Sequence, residues 1–415
     1  MASTLCNTDF PPYTVCMLDD VNFLVAGGGG PVRSGVPNAI EVFELFGTKK
    51  SVSAVSAYRY DTDMSTDRSA IMNSAITADG ENSCLLATGK DEFCQLYRVK
   101  KEKESDETSD EQELRKRKGK EDKKTKDDID TEDLYQFIIE RLKSTQTDFN
   151  ESEQYQKAVR FVPEKSLLVT GGVDGYLRFW KHPNLSKELE IEAHSKEIDD
   201  LDVSPSGDKV VSVSRDCKAF VWNTKDGSQS HALYWKQNTE EKAYRFRSCR
   251  FGIVENNVKN TKLFTIHVPH VQGKSNTQCY ITKWDTKHFS EEKTVSTGTD
   301  VLSALAVSAD GNYLGLGTMS GAVAVYVAFS LQKLQWVKDV HGIFVTGLSF
   351  VPLTERNSKI LGEKDCALIS ISVDKQCKMV RVNKRSEYPI ILMLLGFLAI
   401  IVGIFFLSDY LGYPL

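Results

Sequence analysis

The sequence predicts an all-β fold, a seven-bladed β-propeller, followed by a single C-terminal transmembrane helix. Three observations lead there. One hairpin pattern recurs five times, two of its turns stand 42 residues apart, and residues 390–407 carry no charge. A chain of 415 residues would divide into about three ordinary domains. A repeat fold closes one domain over the same length.

The hairpins come first. LLATGKDEFCQLY (85–97), LVTGGVDGYLRFW (168–180), VVSVSRDCKAFVW (210–222), LGLGTMSGAVAVY (314–326) and LISISVDKQCKMV (368–380) share one pattern. Small or apolar residues alternate, a polar turn falls at the seventh position, and a second alternating run follows, which is the signature of two strands joined by a short turn. Asp occupies the turn position as Asp91, Asp174, Asp216 and Asp374, with Ser320 in the fifth window. The 42 residues from Asp174 to Asp216 fit the roughly 40–45-residue period of WD40 blades.

Neighbouring segments complete the blades. SPSGDKVVSVS (204–214) and SADGNYLGLGT (308–318) repeat a turn followed by a strand, and Ala193-His194 and Val340-His341 stand where such repeats place a Gly-His pair. Seven blades are expected at about 13–45, 69–99, 155–183, 197–224, 244–285, 301–327 and 344–382, the first and fifth matching the pattern worst. The fifth gains a hairpin insertion at 268–278 between KLFTIHV and CYITKWD. Radial closure removes free sheet edges, which suits an all-β chain of this length.

Two segments break the rhythm. Residues 100–133 hold almost no apolar side chain and both charge signs, so they cannot bury a core and are expected to form a disordered insertion between blades. Its RKRKGK run (115–120) has the chemistry of a contact for anionic lipid or of a nuclear address. Residues 389–407 are expected to span a membrane. Arg381, Lys384 and Arg385 precede them, while SDYLGYPL (408–415) has one Asp and no Lys or Arg. The positive-inside bias then places residues 1–386 in the cytosol and 408–415 in the lumen. An apolar stretch this short suits the thinner endoplasmic-reticulum bilayer.

Composition excludes several function classes. A net charge of −5 with pI near 5.9 offers no global attraction for nucleic acid. The nine cysteines form no CxxC pair, so neither a disulfide framework nor a zinc site is indicated. No HExxH or GxSxG occurs. His194, Ser212, Asp216 and Trp222 are read as a structural hydrogen-bond network rather than part of a nucleophilic triad. His267 and His270 are read as ordinary loop residues, having no third ligand beside them.

The first blade is the unusual one. Its FLVAGGGGPVRSGVPNAIEVF (23–43) puts four consecutive glycines after a strand, then Gly35, two prolines and Asn38. A phosphate-binding loop needs Gly-Lys-Ser/Thr after a second glycine. Here Val36 and Pro37 follow Gly35, and a strand follows instead of a helix. The residues leave a long hairpin connection whose glycines permit positive φ and let backbone carbonyls or amides converge on an ion or a partner. A plain glycine-rich turn has the same composition.

AGGGGPVRSGVPNAIEVFEL (26–45), QTDF (146–149), LLVTGGVDGYLRFWK (167–181), YRFRSCRFG (244–252) and LGLGTMSGAVAVYVAFSLQ (314–332), with the C-terminal apolar stretch, carry a resemblance. The chain resembles the metazoan prolactin regulatory element-binding family. These are membrane-anchored WD40 exchange factors of the endoplasmic reticulum that act on the Sar-type small GTPase. The resemblance implies that the chain speeds GDP release on the cytosolic face. The activated GTPase then exposes an amphipathic helix, enters the bilayer and starts COPII coat assembly, the coat machinery being an indirect partner. It also implies a potassium ion held by Gly27, Gly28, Gly29, Gly30 and Asn38. Arg33, Ser34, Gly35, Val36, Pro37 and Asn38 would meet the GTPase, with Val36 and Pro37 at the tip. Pro31 and Arg33 stand where relatives often carry a small residue and a Lys, and Pro keeps a carbonyl but lacks the amide donor.

Exchange by linkage needs no acid, base or nucleophile, and no nucleotide held by the chain itself. The factor binds nucleotide-free GTPase more tightly than the GDP form, and GDP is released in consequence. Two other readings share the fold. One is a membrane-tethered scaffold without exchange activity. The other is a transcription regulator, supported only by RKRKGK and opposed by the charge and the anchor.

Overall fold

Strands whose apolar residues outnumber the polar ones cannot be satisfied singly, and this chain stacks them radially. The computed structural model describes residues 2–30, 35–48, 51–63, 69–103, 135–238, 243–254, 257–270, 277–384, 390–410 and 412. Among them, seven four-stranded antiparallel sheets form the blades. The chain opens with β1 (Ala2–Asn7), which waits for the last blade. Blade one is β2 (Pro12–Met17), β3 (Asn22–Gly27), β4 (Ala39–Gly47) and β5 (Val52–Asp61). Blade two is β6 (Ile71–Ala78), β7 (Ser83–Lys90), β8 (Phe93–Lys103) and β9 (Tyr135–Gln146). Blade three is β10 (Gln156–Val162), β11 (Leu167–Gly172), β12 (Tyr176–Lys181) and β13 (Ser186–Glu192). Blade four is β14 (Ile198–Val203), β15 (Lys209–Ser214), β16 (Ala219–Asn223) and β17 (Gln229–Ala232). Blade five is β18 (Tyr244–Val254), β19 (Asn257–Pro269), β20 (Cys279–Asp285) and β21 (Glu291–Gly298). Blade six is β22 (Leu302–Val307), β23 (Tyr313–Thr318), β24 (Val323–Val327) and β25 (Lys333–Val337). Blade seven joins β26 (Val345–Phe350), β27 (Lys364–Ser372) and β28 (Gln376–Asn383) to β1, which lies outermost.

That last pairing closes the ring. Ala2 faces Val380 and Cys6 faces Cys377, so the two ends of the propeller share one sheet and β28 is not left as an open edge. Apolar layers fill the gaps between blades. Leu5, Phe23, Phe43, Ile369 and Met379 pack where blade seven meets blade one, and Phe23 stacks on Phe43 at 5.5 Å. Each such side chain contributes about 1.5–3 kcal/mol on burial. The innermost strands line a central opening of about 770 Å³. There Arg160 of β10 meets Asp202 of β14 at 3.1 Å, and Arg250 of β18 meets Asp200 at 2.5 Å, tying three blades together.

The topology gives the disc two distinct faces. The turns joining second and third strands emerge on one face, with the connections that lead from each blade to the next. This turn face carries Asp91, Asp174, Asp216, Ser320 and Asp374, together with connection 28–38. First-to-second and third-to-fourth connections emerge on the opposite face.

Several expectations need correction. The expected blades cover only inner strands, because fourth strands are half in water. β13 has no buried residue, whereas β3 is buried throughout. The charged insertion does not separate blades. It begins after Lys103 and ends before Tyr135, within blade two, and Lys100–Lys103 continue β8 by pairing with β9. Polar outer strands tolerate this because one face meets water. Residues 104–134, with the RKRKGK run, lie outside the described residues. A short helix unforeseen from the sequence, α1 (Glu355–Leu361), is started by a capping box between Thr354 and Asn357.

A C-terminal helix, α2, runs Ile390–Tyr410 and contains the uncharged run 390–407. Its described side chains, from 394 to 407, are all exposed. Among the described residues no helix is long and apolar enough to cross a membrane.

Candidate functional site

The site is built on the connection between β3 and β4. β3 delivers its last residue against the chain entering β2: a Cβ on Gly27 would sit 2.0 Å from the Pro11 carbonyl oxygen. The Gly28 amide donates to that same oxygen at 3.0 Å. Gly28 has φ +151 and Gly30 φ +75, conformations that glycine adopts without Cβ strain. A Cβ on Gly28 would fall 1.9 Å from Asn38 Oδ1, so this glycine makes the close approach possible.

Asn38 is the root of the connection. The Gly30 amide donates to its Oδ1 at 3.0 Å. Its Nδ2 donates to Asp63 Oδ1 at 2.7 Å, and its own amide donates to Asp63 Oδ2 at 3.2 Å. Its carbonyl accepts the Thr62 amide at 2.8 Å. Two backbone segments that share no strand register are thereby held by one side chain, which is 1% exposed. Its polar side-chain atoms are turned to the root, toward Gly30 and Asp63.

The structure brings Gly27, Gly28, Gly29, Gly30 and Asn38 together at the root. Val36 leans on the core between blades seven and one, Pro37 is partly buried, and Gly35 (φ +75) is exposed. Pro31, Arg33 and Ser34 lie outside the described residues. Asp63 was not singled out from the sequence. It stands in YDTDMSTD, where no spacing distinguishes one carboxylate from the next; only folding shows which one reaches Asn38.

No group of three or more His, Cys, Asp or Glu among the described residues is placed to hold a metal. The root instead offers Asn38 Oδ1, the Asp63 carboxylate and backbone carbonyls. Such an all-oxygen donor set fits a hard cation such as potassium, not a soft or borderline metal.

The aspartates at the turns are where the sequence puts them, with different partners. His194 Nδ1 lies 3.0 Å from Asp216 Oδ2 and its Nε2 2.8 Å from Ser212 Oγ. Trp222 Nε1 donates to Ser212 Oγ at 2.9 Å. This is the expected structural network. Burial pushes the Asp216 carboxyl up, but the His194 ring and the Lys218 and Ser195 amides overcome that and bring it down to about 2. His341 and Asp374 repeat the contact at 3.1 Å, with Ser370 on the other ring nitrogen. Val380 occupies the Trp position there. Asp174 pairs with Arg178 at 2.7 Å, and Asp91 accepts from Ser69 Oγ at 2.6 Å.

His267 corrects a sequence reading. It is no loop residue: it lies in β19, fully buried, 2.9 Å from Thr265 Oγ1 and stacked on Trp235 at 4.0 Å. Burial holds it well below its ordinary value. His270 lies after β19, with Nδ1 3.2 Å from Cys217 Sγ.

The turn face presents large apolar side chains on several blades. Phe93, Met319 and Ile343 are exposed, Phe149 is 50% exposed and Tyr234 83%.

The chain matches the model of the WD domain, G-beta repeat (WD40), at residues 144–181 and 185–223. It is 38% identical over 409 residues to the guanine nucleotide-exchange factor SEC12 of Mus musculus, covering 96% of this chain and 95% of the mouse protein. The SEC12 of Rattus norvegicus matches at the same identity and coverage. SEC12-like protein 2 of Arabidopsis thaliana is 30% identical over 236 residues, 56% of this chain and 53% of the plant protein.

Proposed function

The chain belongs to the family of SEC12 guanine nucleotide-exchange factors, and from that membership we propose that it releases GDP from a Sar-type small GTPase at the endoplasmic-reticulum membrane. GTP loading there initiates COPII coat assembly and transport to the Golgi. One observation carries the assignment of the working surface: connection 28–38 is clamped at its root by Asn38, Gly30 and Asp63 on the face that also exposes Phe149 and Tyr234.

A clamped root fixes the connection at Gly30 and Asn38, so less conformational entropy is lost there on binding. The segment from Arg33 to Pro37 meets the GTPase switch regions, and exposed apolar groups around it add area. Binding energy that is larger for nucleotide-free GTPase than for the GDP form speeds GDP release. Residues of this chain make and break no covalent bond. Asn38 and Asp63, with carbonyls of Gly27–Gly30, would hold a potassium ion, whose charge would offset that of Asp63.

The expected span 389–407 crosses the membrane through residues 390–407 of α2. The propeller of 1–386 lies on the cytosolic side and 408–415 in the lumen. The support is the uncharged run 390–407 and the flanking Arg381, Lys384 and Arg385.

The test is release of a fluorescent GDP analogue from the Sar-type GTPase, with and without the detergent-solubilised full chain. Faster release is the expected result. An unchanged rate would leave a membrane-tethered scaffold as the reading.

A further inference from the structure

We propose that the rim of blades six and seven, on the face opposite the glycine-rich connection, rests on the membrane through Phe329 and Leu353. This rests on the reading of α2 as a spanning helix. β28 starts at the turn face, after Asp374, and ends at Asn383 on the opposite face. The chain therefore leaves for Ile390 from that face. Between Asn383 and Ile390 a fully extended backbone reaches about 25 Å at most, at roughly 3.6 Å per residue. The outgoing end of blade seven is held within that distance of the bilayer.

On that face blades six and seven carry exposed apolar side chains among the charged Asp310, Glu355, Arg356, Lys359 and Glu363. The β24–β25 connection reads Ala-Phe-Ser-Leu-Gln, without a charge, and Phe329 in it is 74% exposed. Leu353, in the β26–β27 connection of the neighbouring blade, is 43% exposed. Lys283 fixes the Phe329 segment: its Nζ donates to the Phe329 carbonyl at 2.8 Å and stands 5.2 Å from the ring. The first-to-second connections of blades one to four, on the same face, carry Asp19, Asp20, Asp79, Glu81, Glu164 and Asp208 with Lys165. That side gains nothing from anionic headgroups, so the disc tilts onto the rim that carries Phe329 and Leu353, where Arg356 and Lys359 are also exposed. Aromatic and leucine side chains of this kind enter the boundary between headgroups and acyl chains. The glycine-rich connection then faces away from the bilayer, and the GTPase docks on the membrane-distal side.

The full chain is reconstituted into phosphatidylcholine–phosphatidylethanolamine vesicles containing acyl-chain-brominated phosphatidylcholine. A fluorescent amino acid replaces Phe329, Leu353 or, on the turn face, Tyr234. Bromine should quench the probes at 329 and 353 at least about two-fold more than the probe at 234. Equal quenching at all three positions, in protein that floats with the vesicles and resists alkaline carbonate, overturns the proposal and leaves the spanning helix standing. Protein that carbonate strips from the vesicles overturns the spanning reading, and this one with it.

Discussion

Asn38 holds Gly30 across the glycine-rich connection, its Oδ1 accepting the Gly30 amide at 3.0 Å while its Nδ2 donates to Asp63 at 2.7 Å. Asn38→Ala removes both bonds and leaves the Gly30 amide without its acceptor. Losing a buried hydrogen-bond partner costs about 1–3 kcal/mol. Fluorescent-GDP release should slow by about tenfold for each 1.4 kcal/mol of clamping lost in the bound state, with a drop of a few degrees in Tm. A full exchange rate in Asn38→Ala would show that the root is not needed for the activity.

The network of blade four makes a pH prediction. The folded-state carboxyl of Asp216 lies at about 2 against an ordinary 3.8. Its contribution is therefore complete above about pH 4 and is lost as pH falls toward 2. Asp216→Ala leaves His194 Nδ1 without its partner. It should lower stability at neutral pH by about 1–3 kcal/mol and flatten the acid limb of the Tm profile between pH 4 and 2. A variant whose acid limb matches the parent's would remove Asp216 from the account.

His267 gives a second window. Burial lowers its folded-state value well below 6.5, so the neutral ring is favoured in the native state. The unfolded chain takes up a proton first, and stability falls as pH drops below about 6.5. His267→Phe keeps the ring stacked on Trp235 and removes the titration. Its cost at pH 7.5 should stay within about 1.5 kcal/mol, and the loss of Tm from pH 7 to 5.5 should shrink. Thermal scans across that range decide it.

β1 shows where the sequence stopped being legible. The second and third strands were readable because burial on both faces makes them apolar throughout, as in β3 and β11. β1, reading ASTLCN with one buried residue, has no such signal. It is a strand because β28, at the far end of the chain, offers it an edge. The root residue Asn38 was legible through its neighbouring glycines, but Asp63 was not, since its role exists only once blade one has closed. Removing residues 2–7 should leave β28 as an open edge. A lower Tm and aggregation on size-exclusion chromatography are expected, and a monodisperse propeller of unchanged Tm would show that the ring closes without β1.

Gly28 and Gly30, two residues apart, should respond differently to the same methyl group. At Gly28 an added Cβ would stand 1.9 Å from Asn38 Oδ1 and 2.7 Å from Asn38 Cα, so backbone and root must both move. At Gly30 nothing among the described residues lies within 4 Å, and the cost is that of placing a side chain at φ +75, about 1–2 kcal/mol. Gly28→Ala should therefore displace Asn38 and slow GDP release severely. Gly30→Ala should retain most of the exchange rate and lose only a little in Tm. If both variants exchange nucleotide at the parent's rate, the shape of the root does not matter to the activity. If Gly30→Ala is as impaired as Gly28→Ala, then freedom of the backbone beyond the root, and not the Gly28–Asn38 approach, is what the GTPase requires.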